Sequence, residues 1–227
     1  DISFRAKKGE TIAFIGSTGS GKSTLVNLIP RFYDVSEGHI YIDGVDLRDY
    51  DLQALRSKLG IIPQKAVLFS GTIEDNIRFG KEHASEEEIV EAAKIAQGYD
   101  FIMDKEQQFK EEITEGATNV SGGQKQRLSI ARALVRKAEI YIFDDSFSAL
   151  DFKTDANLRK ALKRVTKDSI VMVVAQRIAS IMDADQIIVL NEGKMIGHGT
   201  HKELLKNCQI YREIALSQFR EEELANE

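Results

Sequence analysis

Eight residues constrain this chain more than any others: Gly16-Ser17-Thr18-Gly19-Ser20-Gly21-Lys22-Ser23. They fit the pattern G-x-x-x-x-G-K-[ST]. A short apolar run, 11–15, precedes them, and a helical stretch, 22–28, begins within them. Glycines let the backbone turn so that successive N–H groups face one center. The helix start adds the positive end of its dipole. The pattern therefore describes a cradle for phosphate oxygens. Lys22 brings a full charge to the β- and γ-phosphates of a nucleotide, and the Ser23 hydroxyl is a ligand suited to Mg²⁺, which prefers oxygen. The candidate nucleotide contacts are Gly16, Ser17, Thr18, Gly19, Ser20, Gly21, Lys22, Ser23 and Thr24. Without its context the same run reads as a glycine-rich turn with an exposed lysine; the strand before it and the helix after it favor the cradle.

The rest of the chain alternates strand-like and helix-like segments. Residues 39–42 alternate and meet Asp43-Gly44, a hairpin turn signal. Apolar runs at 60–62, 139–143, 169–175 and 186–190 predict buried strands, with a short one at 194–197 and another at 1–4. Helices are expected at 152–165, 200–205 and 210–225, and 221–227 reads as an acidic, solvated tail. Between about 71 and 137 helical periodicity dominates, with Ser85-Glu86-Glu87-Glu88 as a helix start. Strands alternating with helices imply an α/β fold around a parallel sheet. The expected organization is one domain, with a core at 1–70 and 138–227 and a helical insertion at 71–137. A length of 227 residues suits a single large domain.

Ile140-Tyr141-Ile142-Phe143-Asp144-Asp145 is an apolar strand ending in two carboxylates. Ligands of open α/β sheets gather at the carboxyl ends of strands, so Asp144 is expected beside the phosphate loop, on the metal side. The net charge of −5 argues against a nucleic-acid partner, which requires a basic face. The one cysteine, Cys208, excludes an internal disulfide and is expected to pack near the C-terminal helix. No apolar stretch approaches the roughly 20 residues of a membrane span.

A second helix start, Ser121-Gly122-Gly123-Gln124, precedes an amphipathic stretch at 125–136. Its bare N–H groups suit an anion; read alone, it is an N-cap with a flexible entry. Together these segments resemble the nucleotide-binding domain of ABC transporters over nearly the whole chain. Gly16–Ser23 matches the Walker A motif, Gln64 the glutamine loop, Ser121–Gln124 the signature (with Val120 where Leu is usual), 140–144 Walker B, and Ser148-Ala149-Leu150-Asp151 the D-loop. Phe69-Ser70-Gly71-Thr72-Ile73, Asn76-Ile77 and Thr114-Glu115-Gly116 resemble the exporter branch.

The resemblance implies an ABC ATPase fold: a phosphate-loop core, a small antiparallel β subdomain and an inserted helical subdomain. It implies head-to-tail pairing with a second nucleotide-binding domain. ATP then lies between the phosphate loop of one domain and the signature (Ser121, Gly122, Gly123, Gln124) of the other. Ser23, Gln64 and Asp144 are the implied Mg²⁺ ligands, and Asp151 is the D-loop residue. Closure would drive the transmembrane domains of an exporter, placing this chain at the cytoplasmic face of the cell membrane as a soluble part of a membrane protein. The family's adenine-stacking aromatic falls ahead of residue 1; Tyr33, the nearest aromatic downstream, is expected to pack.

Two positions depart from the family. The residue after Asp144 is usually Glu, the base that polarizes the attacking water; here it is Asp145. The switch residue is usually His; here it is Gln176. A carboxylate one methylene short falls back by about 1 Å, a displacement that can cost about 100-fold in rate. Gln176 can donate a hydrogen bond but carries no charge. Asp145, Gln176 and Gln64 are thus the candidate catalytic set of a site that binds ATP and hydrolyzes it slowly, as in the degenerate half of a heterodimeric exporter. The alternative is an ATP-gated regulatory dimerization module whose own site never turns over.

Overall fold

A computed structural model of the chain describes residues 2–219. Asp1 and residues 220–227, the acidic tail among them, lie outside the described residues; the helix expected over 210–225 already closes at Leu216, with 217–219 in a turn.

The chain opens with β1 (Thr11–Gly16), the glycine loop and α1 (Lys22–Asn27). A hairpin of β2 (Tyr41–Ile42) and β3 (Val45–Asp46) follows. Its turn residues, Asp43 and Gly44, both have positive φ, 52° and 79°, as the tight hairpin turn requires. Then come α2 (Leu52–Ser57) and β4 (Leu59–Ile62). The stretch 71–137 holds β5 (Gly71–Thr72), α3 (Ile73–Arg78), α4 (Glu86–Ile95), α5 (Tyr99–Met103), β6 (Glu112–Ile113) and α6 (Gly122–Leu134). The remainder is β7 (Ile140–Asp144), α7 (Phe152–Val165), β8 (Ile170–Val174), β9 (Gln186–Asn191), β10 (Lys194–Gly199), α8 (His201–Asn207) and α9 (Gln209–Leu216).

Six strands form one sheet in the order β10-β9-β1-β8-β7-β4. Every neighboring pair is parallel except β9–β10 at the edge. The unbroken apolar runs reflect burial of both faces. Ile12, Phe14, Ile142 and Ile188 pack on one side, and Ala13, Ile15, Phe143 and Val189 on the other. The expected strand at the very start does not form a ladder: Ile2 and Phe4 pack against the sheet as side chains, with the Phe4 ring edge-on to Phe14 at 5.6 Å. Residues 2–6 are held by side chains instead: Ile2, Phe4 and Ala6 pack on the core, and Gln186 Nε2 donates to the Arg5 carbonyl at 2.9 Å. Tyr33 is 65% exposed, contrary to the packing role expected of it, because it follows α1 in a surface turn. Cys208 is buried between α8 and α9, as expected.

The mini-sheet β5–β6 was not legible in the sequence; two-residue strands carry no period. It sets α3 against α6, and buried Asn76 with half-buried Arg132 locks the contact. Arg132 Nη2 donates to Asn76 Oδ1 and Nη1 to the Val67 carbonyl, each at 2.8 Å, while its guanidinium lies 4.9 Å from the Phe69 ring center.

Helix α4 begins where Ser85 predicts. Ser85 Oγ accepts from the Glu88 amide, and Glu88 Oε2 accepts from the Ser85 amide. Glu88 also takes Lys81 Nζ at 2.6 Å and Lys137 Nζ at 3.1 Å. These lysines and the Ser85 amide hold its carboxyl down from 4.5 to about 2. A depressed acid adds stability above its unfolded value and loses that stability as pH falls toward the folded value. Glu88→Gln keeps the capping geometry and removes the charge. Its melting temperature should fall below that of the unaltered chain at pH 7, and the gap should narrow between pH 4.5 and pH 3; a gap that is constant with pH would contradict the assignment.

Candidate functional site

Four adjacent parallel strands deliver the candidate residues to one rim of the sheet. β1 ends at Gly16, β7 at Asp144, β8 two residues before Gln176, and β4 two residues before Gln64. The ladder holds these ends level, pairing Phe14 with Val174, Asp144 with Val174 and Ile62 with Phe143. Carboxyl ends of parallel strands are where such sheets bind ligands.

The loop from Gly16 to Gly21 turns under tight steric limits. A Cβ on Gly16 would lie 2.0 Å from the Leu190 carbonyl oxygen and 2.8 Å from Ser20 Oγ. Ser17, Thr18, Gly19 and Thr24 are exposed, whereas Ser20 is buried. Lys22 folds its stem inward, and its ammonium donates to the carbonyls of Gly16 and Ser17 at 2.8 Å each and to Ser20 Oγ at 3.2 Å. Burial lowers the Lys22 pKa, while Asp145 and Asp144 pull it back up. The ammonium thus sits in the mouth of the loop with only neutral acceptors, the state in which an incoming phosphate has most to offer it.

Ser23 Oγ donates to Asp144 Oδ1 at 2.7 Å. A hydroxyl and a carboxylate in contact, with Gln64 bonded to the neighboring Asp145 through its Nε2, supply hard oxygen donors that suit Mg²⁺ sharing its remaining positions with phosphate and water. These three residues could hold the ion.

Asp145 is the hub of the site. Its Oδ2 accepts from Gln176 Nε2 at 2.6 Å and from Gln64 Nε2 at 3.0 Å. The candidate catalytic residues therefore meet at one oxygen. Burial raises the Asp145 pKa, the two amides lower it, Asp144 raises it and Lys22 lowers it. Its backbone is left-handed, φ 49°, a conformation Asp tolerates better than most residues. Ser148 Oγ holds the Asp145 carbonyl at 2.7 Å.

Ser121 and Gln124 close a capping box on α6: the Gln124 amide donates to Ser121 Oγ at 3.2 Å, and the Ser121 amide to Gln124 Oε1 at 2.9 Å. The first-turn amides of Gly122 and Gly123 have no carbonyl within the helix to bond. Among the described residues no hydrogen bond joins 121–124 to 16–24; Gly123 instead lies against Ala149, 3.4 Å from its carbonyl oxygen to a Cβ built there. Asp151 caps α7, accepting from the Thr154 amide at 2.9 Å.

Sequence reasoning missed two residues that shape the site. Arg177 Nη2 donates to the Ser148 carbonyl at 3.1 Å, and its guanidinium covers the Phe152 ring. Gln218 bonds the backbone on both sides of Arg177. The Gln176-Arg177 dipeptide points to the first; nothing local points to the second, whose partners lie about 40 positions away.

The sheet topology and the glycine loop define an α/β domain of the ABC ATPase fold. A family model described as ABC transporter matches residues 1–148, and the chain belongs to that family. It is 48% identical over 221 residues to an uncharacterized ABC transporter ATP-binding protein of Mycobacterium tuberculosis, covering 96% of this chain and 38% of that one. A counterpart in Bacillus subtilis is also 48% identical, over 219 residues, with the same coverages. The chain thus spans less than two-fifths of the curated relatives it matches. A solved bacterial Atm1-family ABC exporter with ATP bound superposes with a TM-score of 0.89 at 40% identity, over 92% of this chain and 37% of that chain.

Gly16→Ala forces a methyl into the Leu190 carbonyl and should destabilize the domain by about 1–3 kcal/mol or more. Gly19→Ala has nothing within 4 Å of its Cβ and meets only its left-handed backbone, φ 81°, at about 1–2 kcal/mol. Urea unfolding of both variants checks the order; a reversed order would contradict the packing described.

Proposed function

We propose that this chain is the ATP-binding and ATP-hydrolyzing cassette of an exporter-type ABC transporter, and that its own site is slow. One contact carries the second half of the reading: Gln176 Nε2 donates to Asp145 Oδ2 at 2.6 Å. The likeness to an ATP-bound exporter supports the first half.

In this reading the chain is one cassette with a core at 1–70 and 138–227 and a helical subdomain at 71–137. The triphosphate enters the loop 16–23. Lys22 exchanges the Gly16 and Ser17 carbonyls for oxygens of the β- and γ-phosphates, gaining charge-assisted bonds in place of neutral ones. Mg²⁺, held by Ser23, Asp144 and Gln64, would draw charge from the γ-phosphate. The signature residues Ser121 to Gln124 face a second, non-identical cassette and cap the nucleotide bound there. ATP favors the closed pair by its greater affinity for it, and closure moves the transmembrane domains at the cytoplasmic face of the membrane.

Hydrolysis requires a base to take a proton from water as the water oxygen attacks the γ-phosphorus and the bond from that phosphorus to the β,γ-bridging oxygen breaks, releasing ADP and phosphate. Asp145 is short for that role, and its Oδ2 already accepts two amide N–H groups. Burial, the larger influence, leaves its pKa raised despite the two amides, so it is the short reach and fixed orientation of the carboxylate that handicap it. Gln176 spends a donor on Asp145 and brings no charge to the γ-phosphate. The degenerate pair is a mutually satisfied unit rather than two idle residues.

Asp145→Glu with Gln176→His should restore reach and charge. Phosphate release at saturating Mg·ATP should rise by about 100-fold. Equal and vigorous release by the unaltered chain would overturn the slow-site reading. Binding without release by either form would favor the regulatory dimerization module.

A further inference from the structure

The segment after β8 is held from three sides. Gln176 reaches forward to Asp145. Arg177 turns to the opposite side and grips the carbonyl of Ser148, with its guanidinium 4.9 Å from the Phe152 ring center. The third grip comes from beyond α9. Gln218 Nε2 donates to the Gln176 carbonyl at 2.7 Å, and the Ile178 amide donates to Gln218 Oε1 at 2.8 Å.

The geometry explains why a primary amide serves here. Arg177 is extended, φ −102° and ψ 125°, so the residue before it and the residue after it present a carbonyl and an amide along one edge. A planar carboxamide offers one donor and one acceptor at matching spacing and pairs as a neighboring strand would. Ile178 is fully buried, so its amide needs this partner. Gln218 is itself fixed: its amide bonds the Ala215 carbonyl at 3.0 Å, and α9 is anchored by buried Tyr211 and Ala215.

We propose that Gln218 is a positioning residue that sets Gln176 against Asp145, so that the C-terminal helix and the switch end of β8 move as one body. The inference rests on reading Gln176 as the switch residue of a nucleotide site. Gln218 touches neither Asp145 nor the phosphate loop and acts only through the backbone of Gln176. Any load on α9 would reach the hub of the site through two hydrogen bonds.

The test uses two variants of the full chain and one control. Gln218→Ala removes both bonds. Gln218→Glu keeps the acceptor for Ile178 and loses the donor to Gln176, so it spares the fold. The control, Gln209→Ala at the start of α9, removes only a bond to Glu213. The first readout is the side-chain amide resonance of Gln176 in the nucleotide-free, ¹⁵N-labeled chain, assigned by its loss in Gln176→Glu. It should shift in Gln218→Ala and in Gln218→Glu and stay in place in Gln209→Ala. The second readout is kcat and KM in the Asp145→Glu, Gln176→His background. Either Gln218 variant should lower kcat by about tenfold or more with KM changed less than about twofold, the pattern of a displaced reacting group. An unmoved Gln176 resonance in a folded Gln218→Glu chain would overturn the proposal. So would equal losses in kcat, in KM and in the control. The resonance is read without nucleotide, so it decides the positioning claim even if the chain proves not to hydrolyze ATP.

Discussion

The parallel ladder β1–β8–β7–β4 is the constraint on which everything else in this chain rests. It is not a scaffold in a loose sense: it fixes four strand ends to within the tolerance that chemistry demands. A slip of one residue in any ladder would displace that strand's end by about 3.3 Å, whereas a displacement near 1 Å already costs about 100-fold in a reacting group. Register is held by burial on both faces. Ile12 and Phe14 face one core and Ala13 and Ile15 the other, all but sealed from water, so no slip can trade a buried face for an exposed one without changing which volumes meet.

Charge is the second organizing element. Lys22, Asp144 and Asp145 share one rim, and burial works against the charged form of both Lys22 and Asp145. Each is compensated by the other and by neutral groups: carbonyls for Lys22, carboxamides for Asp145. Such partners offset part of the cost that burial places on the charged forms. The two amides lower the Asp145 pKa, but burial outweighs them and leaves it raised. In the proposed reading the slowness therefore rests on the short reach of Asp145 and on the donors of Gln64 and Gln176 already being engaged by it.

Much of this was legible in the sequence, and the reasons differ by element. The glycine loop, its strand and its helix announce themselves because phosphate binding restricts residue type at each position. Asp144 was found by strand polarity, and Ser85 and Ser121 by the capping pattern that both realize. The hairpin at Asp43-Gly44 followed from the need for positive φ at both turn residues. The departures at Asp145 and Gln176 were visible only against the resemblance; their meeting at one oxygen was not, because side chains 31 positions apart carry no joint signal in a single sequence. The grip of Gln218, the β5–β6 mini-sheet and the exposure of Tyr33 were hidden for the same reason. Each is decided by tertiary neighbors rather than by period or composition.

The account stands on a triphosphate cradle at the end of β1, and calorimetric titration of Mg·ATP into the chain and into its Lys22→Ala variant tests it most directly. The expected result is saturable binding at one site per chain, weakened by at least about tenfold when the ammonium is removed, the loss of a hydrogen bond to a charged group. Equal affinity in the two proteins, or no binding by the unaltered chain, would contradict it.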